Sequence, residues 1–247
     1  MKRDAPFDVD DVELQETLAR KVVAAIDLLG HIQRDFAPAA LATSLGAEDM
    51  VLTDLIAKHV PDIDIFTLDT GRLHAETYRL LQQTAEHYGR PVRVYYPRGE
   101  AVERLVADNG INGFYDGADK RKACCEVRKV EPLRRALAGK RAWITGLRRA
   151  QAVTRSDLPV QEFDAANGLE KFSPLADWEE REVWAYIHVF GVPYNALHDN
   201  GFPSIGCQPC TRAVEPGADL RSGRWWWEEP ASKECGLHPL RHKLVRA

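Results

Sequence analysis

The sequence predicts an α/β domain with a mainly parallel, twisted sheet flanked by helices, followed by a loop-rich C-terminal segment. Short apolar runs alternate with stretches of helical period, and the segment 193–227 is rich in glycine and proline without clear periodicity. Strands that alternate with helices imply right-handed crossovers and parallel pairing. A chain of 247 residues needs one core only. We therefore expect a single domain over 1–228 and a mobile tail over 229–247.

The predicted elements follow in order along the chain. An amphipathic helix over 10–29 opens the domain, because apolar residues recur at helical spacing: Leu14, Leu18, Val22, Ala25 and Leu29. The buried apolar runs predict parallel strands at 39–43, 63–68, 92–96 and 142–145, with helices at 50–59 and 73–84. A hairpin is predicted from strands 160–163 and 169–172, and a final helix is expected to start at an Asp177 N-cap and run to 190.

Charge and hydropathy exclude several classes of protein. The net charge of -4 gives no overall basic field, so we expect no nucleic-acid partner. No apolar run is long enough to cross a bilayer, and the acidic N-terminus does not resemble a secretory signal. We therefore expect a cytoplasmic protein whose cysteines stay reduced and serve as ligands or nucleophiles.

The five cysteines divide into an adjacent pair, Cys124 and Cys125, a Cys-x-x-Cys formed by Cys207 and Cys210, and the lone Cys235. The Cys-x-x-Cys, with its glycine and proline turn residues, lets two thiolates converge on one metal centre. Neighbouring helical side chains point apart, so joint ligation by the pair demands an unusual backbone. Spacing alone fits zinc and iron-sulfur equally, and two buried small hydrophobes or a vicinal disulfide are the alternatives.

Cys235 lies near the C-terminus between Lys233 and His238. A thiol on a mobile segment beside cationic groups can be held as thiolate and delivered to a substrate or redox partner. From the residues alone, a catalytic nucleophile and an unreactive thiol are equally good interpretations of Cys235.

Candidate anion-binding groups are present as well. Residues 44–49 lie between a strand and a helix, where free amides and the helix dipole favour an anion, although a generic turn has the same pattern. Lys129 follows the cysteine pair by one helical turn and is placed to face a metal site. A core or interface role suits residues 225–227, three tryptophans, better than adenine stacking does. Arginines cluster after the fourth strand and after the Cys-x-x-Cys, and most such arginines are surface residues: Arg148, Arg149, Arg155, Arg212, Arg221 and Arg224.

Together these motifs resemble the assimilatory, iron-sulfur adenylylsulfate (APS) reductases of the PAPS/APS reductase family, over about 39–238. More distantly they are similar to the ATP pyrophosphatases, which implies an adenine-nucleotide alpha-hydrolase-like fold. The matching stretches are SLGAED (44–49), LDTGR (68–72), KACC (122–125) with RK (128–129), TGLR (145–148), GCQPC (206–210), GRWWW (223–227) and ECGLH (234–238).

The resemblance implies a 4Fe-4S cluster on Cys124, Cys125, Cys207 and Cys210. Cys235 would attack adenosine 5'-phosphosulfate to leave an S-sulfocysteine, which thioredoxin or a glutaredoxin-like dithiol would reduce with release of sulfite. The catalytic set is expected to be Cys235, Lys129 and His238. Adenosine would be held by Ser44, Asp49, Leu68 and Gly146, and the phosphosulfate by Lys129, Arg155, Arg221, Arg224 and His238.

The sequence has two features that differ from the pattern of the related families. Ala47, Glu48 and Asp49 follow Gly46 where the ATP pyrophosphatases carry glycine and serine, which argues against triphosphate binding. Nine residues follow His238 and would change the motion of Cys235 if they folded over the site.

Three other functions compete with this interpretation: a PAPS reductase, an ATP-dependent tRNA sulfur transferase and a zinc-stabilised nucleotide-binding module. The sequence also allows a homo-oligomer.

Overall fold

The computed structural model describes residues 11–152, 155–215, 217–229 and 237. The helices are α1 (Val12–Asp35), α2 (Ala47–His59), α3 (Ala75–Tyr88), α4 (Gly99–Asn109), α5 (Ala118–Cys125), α6 (Glu131–Leu137) and α7 (Glu180–Phe190). The strands are β1 (Ala39–Ala42), β2 (Asp64–Leu68), β3 (Arg93–Tyr95), β4 (Ala142–Ile144), β5 (Gln161–Asp164) and β6 (Leu169–Phe172). A π-helical segment, Glu126–Val130, joins α5 to α6.

The six strands form one sheet in the order β3-β2-β1-β4-β6-β5. Neighbouring strands pair in parallel from β3 to β6, and the edge strand β5 pairs antiparallel with β6. The predicted α/β class and the terminal hairpin are therefore confirmed. Chain order reverses beside β1, since the chain first builds outward through β2 and β3 and then adds β4 on the other side. Such a reversal opens a crevice at the carboxyl ends of the strands.

Apolar side chains cover both faces of the sheet. The larger core packs helices α1, α2, α3 and α7 against one face, with Leu29, Met50, Ile65 and Tyr186 among its buried members. The smaller core packs α6 against the other face around Trp143. Strands buried on both sides are the pattern expected of a parallel sheet.

Local signals explain the ends of the two helices that frame the larger core. The Asp11 carboxylate accepts the N–H groups of Glu13 and Leu14 and so begins α1. At α7 the Glu182 side chain accepts the N–H of Glu179, which completes a capping box. Glu182 also forms a 2.6 Å ion pair with Lys21, which ties α7 to α1.

Several predicted boundaries were wrong, and helix α3, for example, spans Ala75–Tyr88 rather than 73–84. Helix α2 begins at Ala47 rather than residue 50, because the backbone of Gly46 is extended and serves as the N-cap. Helix α7 has its N-cap at Glu179 instead of Asp177, since the Glu182 side chain reaches back to the Glu179 amide. Helix α1 continues to Asp35, six residues beyond the apolar pattern. In the described part of the chain no helix is both long and apolar enough to cross a membrane.

Candidate active site

A cavity of about 240 Å³ opens at the carboxyl ends of β1, β2 and β4. Its wall includes residues that directly follow these strands, because parallel strands end at one edge of the sheet. Every described residue of the predicted substrate-binding set lines it, together with Lys129 of the predicted catalytic set: Ser44, Asp49, Leu68, Lys129, Gly146, Arg155, Arg221 and Arg224. Cys207 and Leu237 line the same cavity. Residues scattered over 190 positions therefore meet at one place.

The start of α2 presents a buried carboxylate to this cavity. Asp49 is 8% exposed, and it accepts the Ser44 N–H at 2.6 Å and the Ser44 hydroxyl at 2.7 Å. Burial raises the pKa of Asp49 to about 6, against the lowering effect of the Ser44 hydrogen bonds. The Ser44 amide, which the sequence suggested for an anion, thus already donates to a carboxylate.

A second carboxylate in the first turn of α2 is paired with a buried arginine. The Glu48 carboxylate lies 2.7 Å from the guanidinium of Arg148, which is 2% exposed and also donates to the Trp178 carbonyl at 3.2 Å. Burial raises the pKa of Glu48, but the charge of Arg148 and the hydrogen bonds from Gln151, the Glu48 backbone and Arg148 together outweigh burial, and the net shift is downward. Two acidic side chains at this helix start favour hydroxyl groups over phosphate as their ligand.

Gly146 is required by close packing at the end of β4. A Cβ at this position would overlap the Asp49 carboxylate and come within 3.1 Å of the Asp49 backbone nitrogen. We expect Gly146→Ala to cost about 1–3 kcal/mol of unfolding free energy through overpacking. Because Asp49 would be displaced, AMP binding should weaken about tenfold or more. Thermal unfolding and calorimetric AMP titration measure both effects.

Gly99→Ala is the matched control, since an added Cβ there meets nothing within 4 Å at the start of α4. It should leave AMP affinity unchanged. Equal AMP affinities for the Gly146 and Gly99 variants would show that the β4 turn does not shape the nucleotide site.

Cationic side chains line another part of the cavity wall. Lys129 comes from the π-helical segment, and Arg221 and Arg224 come from the turn that follows the Cys-x-x-Cys. Arg224 donates to the Ser204 hydroxyl at 3.2 Å and to the Ile205 carbonyl at 3.3 Å. Arg155 reaches the wall from the segment after β4 and donates to the Gln151 side chain at 2.6 Å. The cavity therefore carries carboxylates on α2 and cations on other segments.

The four cysteines of the predicted metal set gather beside this cationic wall. Burial raises the pKa of Cys210 to about 12, with Cys207 and Cys125 adding to the rise and Lys129 and Arg224 opposing it. Burial, followed by Cys207, also raises the pKa of Cys124, although Arg128 opposes the shift. Because each thiol influences another electrostatically, the two sequence segments have been brought to one location.

The unusual backbone expected near the adjacent pair is a π-helical turn. Helix α5 ends at Cys125, and residues Glu126–Val130 then form the wider π turn before α6 resumes. Single π turns within α-helices are rare and often occur at functional sites. This turn carries Lys129 into the cavity wall, directly after the cysteine pair.

Polar groups surround the cysteines. The Thr70 hydroxyl lies 3.3 Å from the Cys207 sulfur. Arg128 is hydrogen-bonded to Cys124 and also donates to the Thr70 carbonyl at 2.6 Å. Arg121, which is fully buried, is hydrogen-bonded to Cys125. Donors to sulfur stabilise thiolate ligands, so this setting suits a metal centre of negative charge. Among the described residues, however, no group of three or more His, Cys, Asp or Glu side chains is placed to hold one metal ion.

The three consecutive tryptophans are packed against the cysteine region. Trp225 is 1% exposed, and the guanidinium carbons of Arg121 and Arg224 lie 4.5 and 4.7 Å from its ring centre. Trp227 packs edge-on against Tyr115 at 4.5 Å and against Trp226 at 4.8 Å. These contacts are those of a packing element, as the sequence favoured.

Two predicted catalytic residues, Cys235 and His238, lie outside the described residues. Leu237, between them in sequence, is described and packs against the smaller core while lining the cavity. The predicted tail boundary at 229 stays a prediction.

Some residues of the site were not predicted from the sequence. The ion pair between Glu48 and Arg148 joins positions 100 residues apart, and no local pattern reveals it. Arg121 precedes Cys125 by four residues, so helical spacing was a usable signal for it. Arg149, in contrast, bonds to Asp177 and to the Leu158 carbonyl instead of lining the cavity.

Comparison with known proteins agrees with this geometry. Residues 38–213 match the phosphoadenosine phosphosulfate reductase domain family. The adenosine 5'-phosphosulfate reductase of Allochromatium vinosum is 56% identical over 223 residues, covering 90% of this chain and 87% of that protein. The protein of the same name from Burkholderia cepacia is 52% identical, covering 91% of this chain and 90% of that protein.

Solved structures give the same result for the fold. A phosphoadenylyl-sulfate (PAPS) reductase from Candida auris, solved with phosphate, superposes with a TM-score of 0.67 at 29% identity, over 84% of this chain and 99% of that one. Yeast FAD synthetase, at 13% identity and a TM-score of 0.58, covers 85% of this chain and 71% of that one, and shares the fold alone. The family match spans well over half of the sequence, and the chain therefore belongs to the phosphoadenosine phosphosulfate reductase domain family.

Proposed function

We propose that this protein reduces adenosine 5'-phosphosulfate to sulfite and AMP, with Cys235 as nucleophile and a thioredoxin-like dithiol as reductant. The observation that carries the proposal is the distribution of charge around one cavity. Carboxylates stand at the start of α2, and Lys129, Arg221 and Arg224 stand beside the cysteines. A ligand with hydroxyls at one end and two linked anions at the other matches this distribution.

The choice of APS as substrate follows the relatives. Proteins that are 50–56% identical carry the name adenosine 5'-phosphosulfate reductase, whereas the PAPS reductase of Candida auris is 29% identical. Asp49 and Ser44 would hold the ribose hydroxyls, and Leu68 and Gly146 would contact adenine. The carboxylates of Glu48 and Asp49 also line the cavity wall, and they would repel an added 3'-phosphate that lay near them.

In the first step the Cys235 thiolate attacks the sulfur of the phosphosulfate. A bond forms between Sγ and that sulfur, and the bond from sulfur to the bridging oxygen breaks, so AMP leaves with the electron pair. Lys129, Arg155, Arg221 and Arg224 would stabilise the charge that moves onto the phosphate. Cys235 is left as an S-sulfocysteine.

In the second step a thiolate of the reductant attacks Sγ of Cys235, and sulfite leaves with the bonding electrons. The resulting mixed disulfide is resolved by the second thiol of the reductant, which ends as a disulfide and has supplied both electrons. Cys235 returns as a thiolate. We propose that His238 contacts the phosphosulfate while Cys235 reacts with it.

The position of Leu237 supports this role for Cys235. Leu237, two residues after Cys235 in sequence, packs against the smaller core and lines the cavity that would hold the substrate.

We propose that Cys124, Cys125, Cys207 and Cys210 hold a 4Fe-4S cluster. A cluster distributes four thiolates over four iron atoms, so the sulfurs need not converge on one point as they do around zinc. The donor set fits, because it consists of thiols alone, Arg121 and Arg128 are hydrogen-bonded to two of them, and the Thr70 hydroxyl lies 3.3 Å from a third. When bound, the cluster would supply a fixed charge and hold Lys129 in the wall, without electron transfer to substrate.

Asp49 gives APS binding a defined pH dependence. The pKa of this buried carboxyl is about 6, so it is ionised at pH 8 and protonated at pH 5. As a protonated group it loses acceptor capacity for the ribose hydroxyls, so APS affinity should fall about tenfold as the pH drops through 6. Calorimetric titration of the Cys235→Ser protein, which cannot turn over, measures this. In Asp49→Asn the drop through pH 6 should disappear, and an unchanged drop would remove Asp49 from the nucleotide site.

The function itself is tested with protein purified without oxygen. We expect a brown protein with iron and sulfide in equal amounts, which releases sulfite from APS with thioredoxin and far less from PAPS. A colourless zinc protein without sulfite release would instead support the zinc-stabilised nucleotide-binding module.

A further inference from the structure

A buried ion pair joins the cysteine region to the start of the segment that carries Cys235. Arg121 is 0% exposed, and its Nε and Nη2 atoms donate to the two carboxylate oxygens of Glu228 at 2.5 and 3.0 Å. The Glu228 side chain is 5% exposed. The two residues are 107 positions apart, so the pair is a tertiary link.

Arg121 makes two further contacts that fix its position. It is hydrogen-bonded to Cys125, one of the proposed cluster ligands. Its guanidinium also lies 4.5 Å from the ring centre of Trp225, whose backbone N–H donates to the Cys210 carbonyl at 3.2 Å. One cation therefore contacts the first cysteine segment directly, contacts Glu228 and Trp225 before the tail, and is linked to the second cysteine segment through Trp225.

Stability alone does not account for such a pair. Removing two charges from water costs several kcal/mol per ion, and a buried ion pair often does no better than a well-packed apolar pair of equal volume. A bidentate guanidinium–carboxylate contact does supply a fixed geometry. The pair therefore suits a role in positioning, in which Glu228 is held at one place relative to Cys125.

We propose that Arg121 and Glu228 are positioning residues. Their ion pair holds the start of the segment that carries Cys235 against the cysteine region. Glu228 precedes Cys235 by seven residues, and Leu237 lies on the cavity wall two residues after it. Glu228, before the nucleophile in sequence, is therefore held by Arg121, and Leu237, after it, packs against the smaller core. Neither Arg121 nor Glu228 lines the cavity, so the pair acts on delivery of the thiol and not on substrate binding.

The test compares Glu228→Gln with Glu229→Gln in the full-length, iron-loaded protein. Both variants lose one negative charge at adjacent positions, but Glu229 is exposed. We expect Glu228→Gln to lower kcat about 10-fold to 100-fold with KM for APS changed less than about threefold, because misplacement of the nucleophile affects turnover alone. Hydrogen exchange of amides 225–229 should be at least about tenfold faster in Glu228→Gln than in Glu229→Gln.

Arg121→Lys is the second variant, which covers the case in which Glu228→Gln does not fold. Lysine keeps the charge but not the two-pronged contact, so the same changes in kcat and exchange are expected with iron content retained. If kcat and exchange in both variants equal those of Glu229→Gln, or if KM rises instead of kcat falling, the proposal is overturned.

This inference rests on the proposed function only in its kinetic test, the comparison of kcat and KM for APS. If the unaltered protein released no sulfite from APS, the proposed function would fail, and the exchange comparison would still decide whether the pair fixes residues 225–229.

Discussion

Replacing Cys235 with serine should abolish sulfite release while leaving the rest of the protein intact. Serine lacks a nucleophile that ionises near neutral pH, so we expect turnover of APS with thioredoxin to fall about 10³-fold or more. Cys235 is not among the four cysteines proposed as metal ligands, so iron content and the visible spectrum should not change. AMP affinity should also stay within about twofold, because Sγ attacks the sulfonate and does not hold the nucleotide.

Sulfite release is measured under anaerobic conditions, and AMP binding is measured by calorimetry on the same preparation. Undiminished turnover in Cys235→Ser would remove this residue from the reaction. Loss of iron in the same variant would instead assign it to the metal site.

Replacing Cys210 with serine should remove bound iron as well as activity. Its sulfur is electrostatically coupled to Cys207 and Cys125, and it stands next to Lys129. Loss of one of four thiolate ligands should lower bound iron by half or more and bleach the visible absorbance. Turnover should fall about 10²-fold or more, since Lys129 and the cysteine segments would no longer be fixed around the phosphosulfate.

The Cys235→Ser protein is the matched control for this variant, because it carries the same substitution at the one cysteine outside the proposed ligand set. Iron and sulfide assays separate the two predictions without reference to activity. Full iron content in Cys210→Ser would show that this cysteine is not a ligand.

Much of the fold was predictable because the local pattern and the topology agree. Apolar runs such as residues 63–68 are buried on both faces, and right-handed crossovers leave few arrangements for them. The boundaries were less predictable. Residues 47–49 belong to helix α2, because the extended backbone of Gly46 serves as the N-cap and the first helical residue lies three positions before the apolar pattern begins.

The candidate site was predictable to the extent that single segments carry chemistry. The cysteine motifs and the turns after β1 and β4 were recognisable, and Ser44, Asp49 and Gly146 do line one cavity. The ion pairs Glu48–Arg148 and Arg121–Glu228 were not, because their partners are about a hundred residues apart and meet only through the fold. The π-helical turn likewise has no sequence periodicity of its own, although the cysteine pair demanded an irregular backbone.

The raised pKa of Asp49 also depends on the fold. Burial is its main cause and the charge of Glu48 adds to it, whereas the hydrogen bonds from Ser44 and Gly146 lower the pKa. A sequence motif identifies the carboxyl, whereas the surrounding packing sets the pH at which it ionises.

The most direct test of covalent catalysis by Cys235 is mass spectrometry after one turnover without reductant. Protein incubated anaerobically with APS should carry a single added sulfonate, located by peptide mapping on Cys235, and AMP should appear in equal amount. Addition of thioredoxin should remove the sulfonate as sulfite. Sulfite formation with an unmodified Cys235, or a sulfonate on any other residue, would contradict the account.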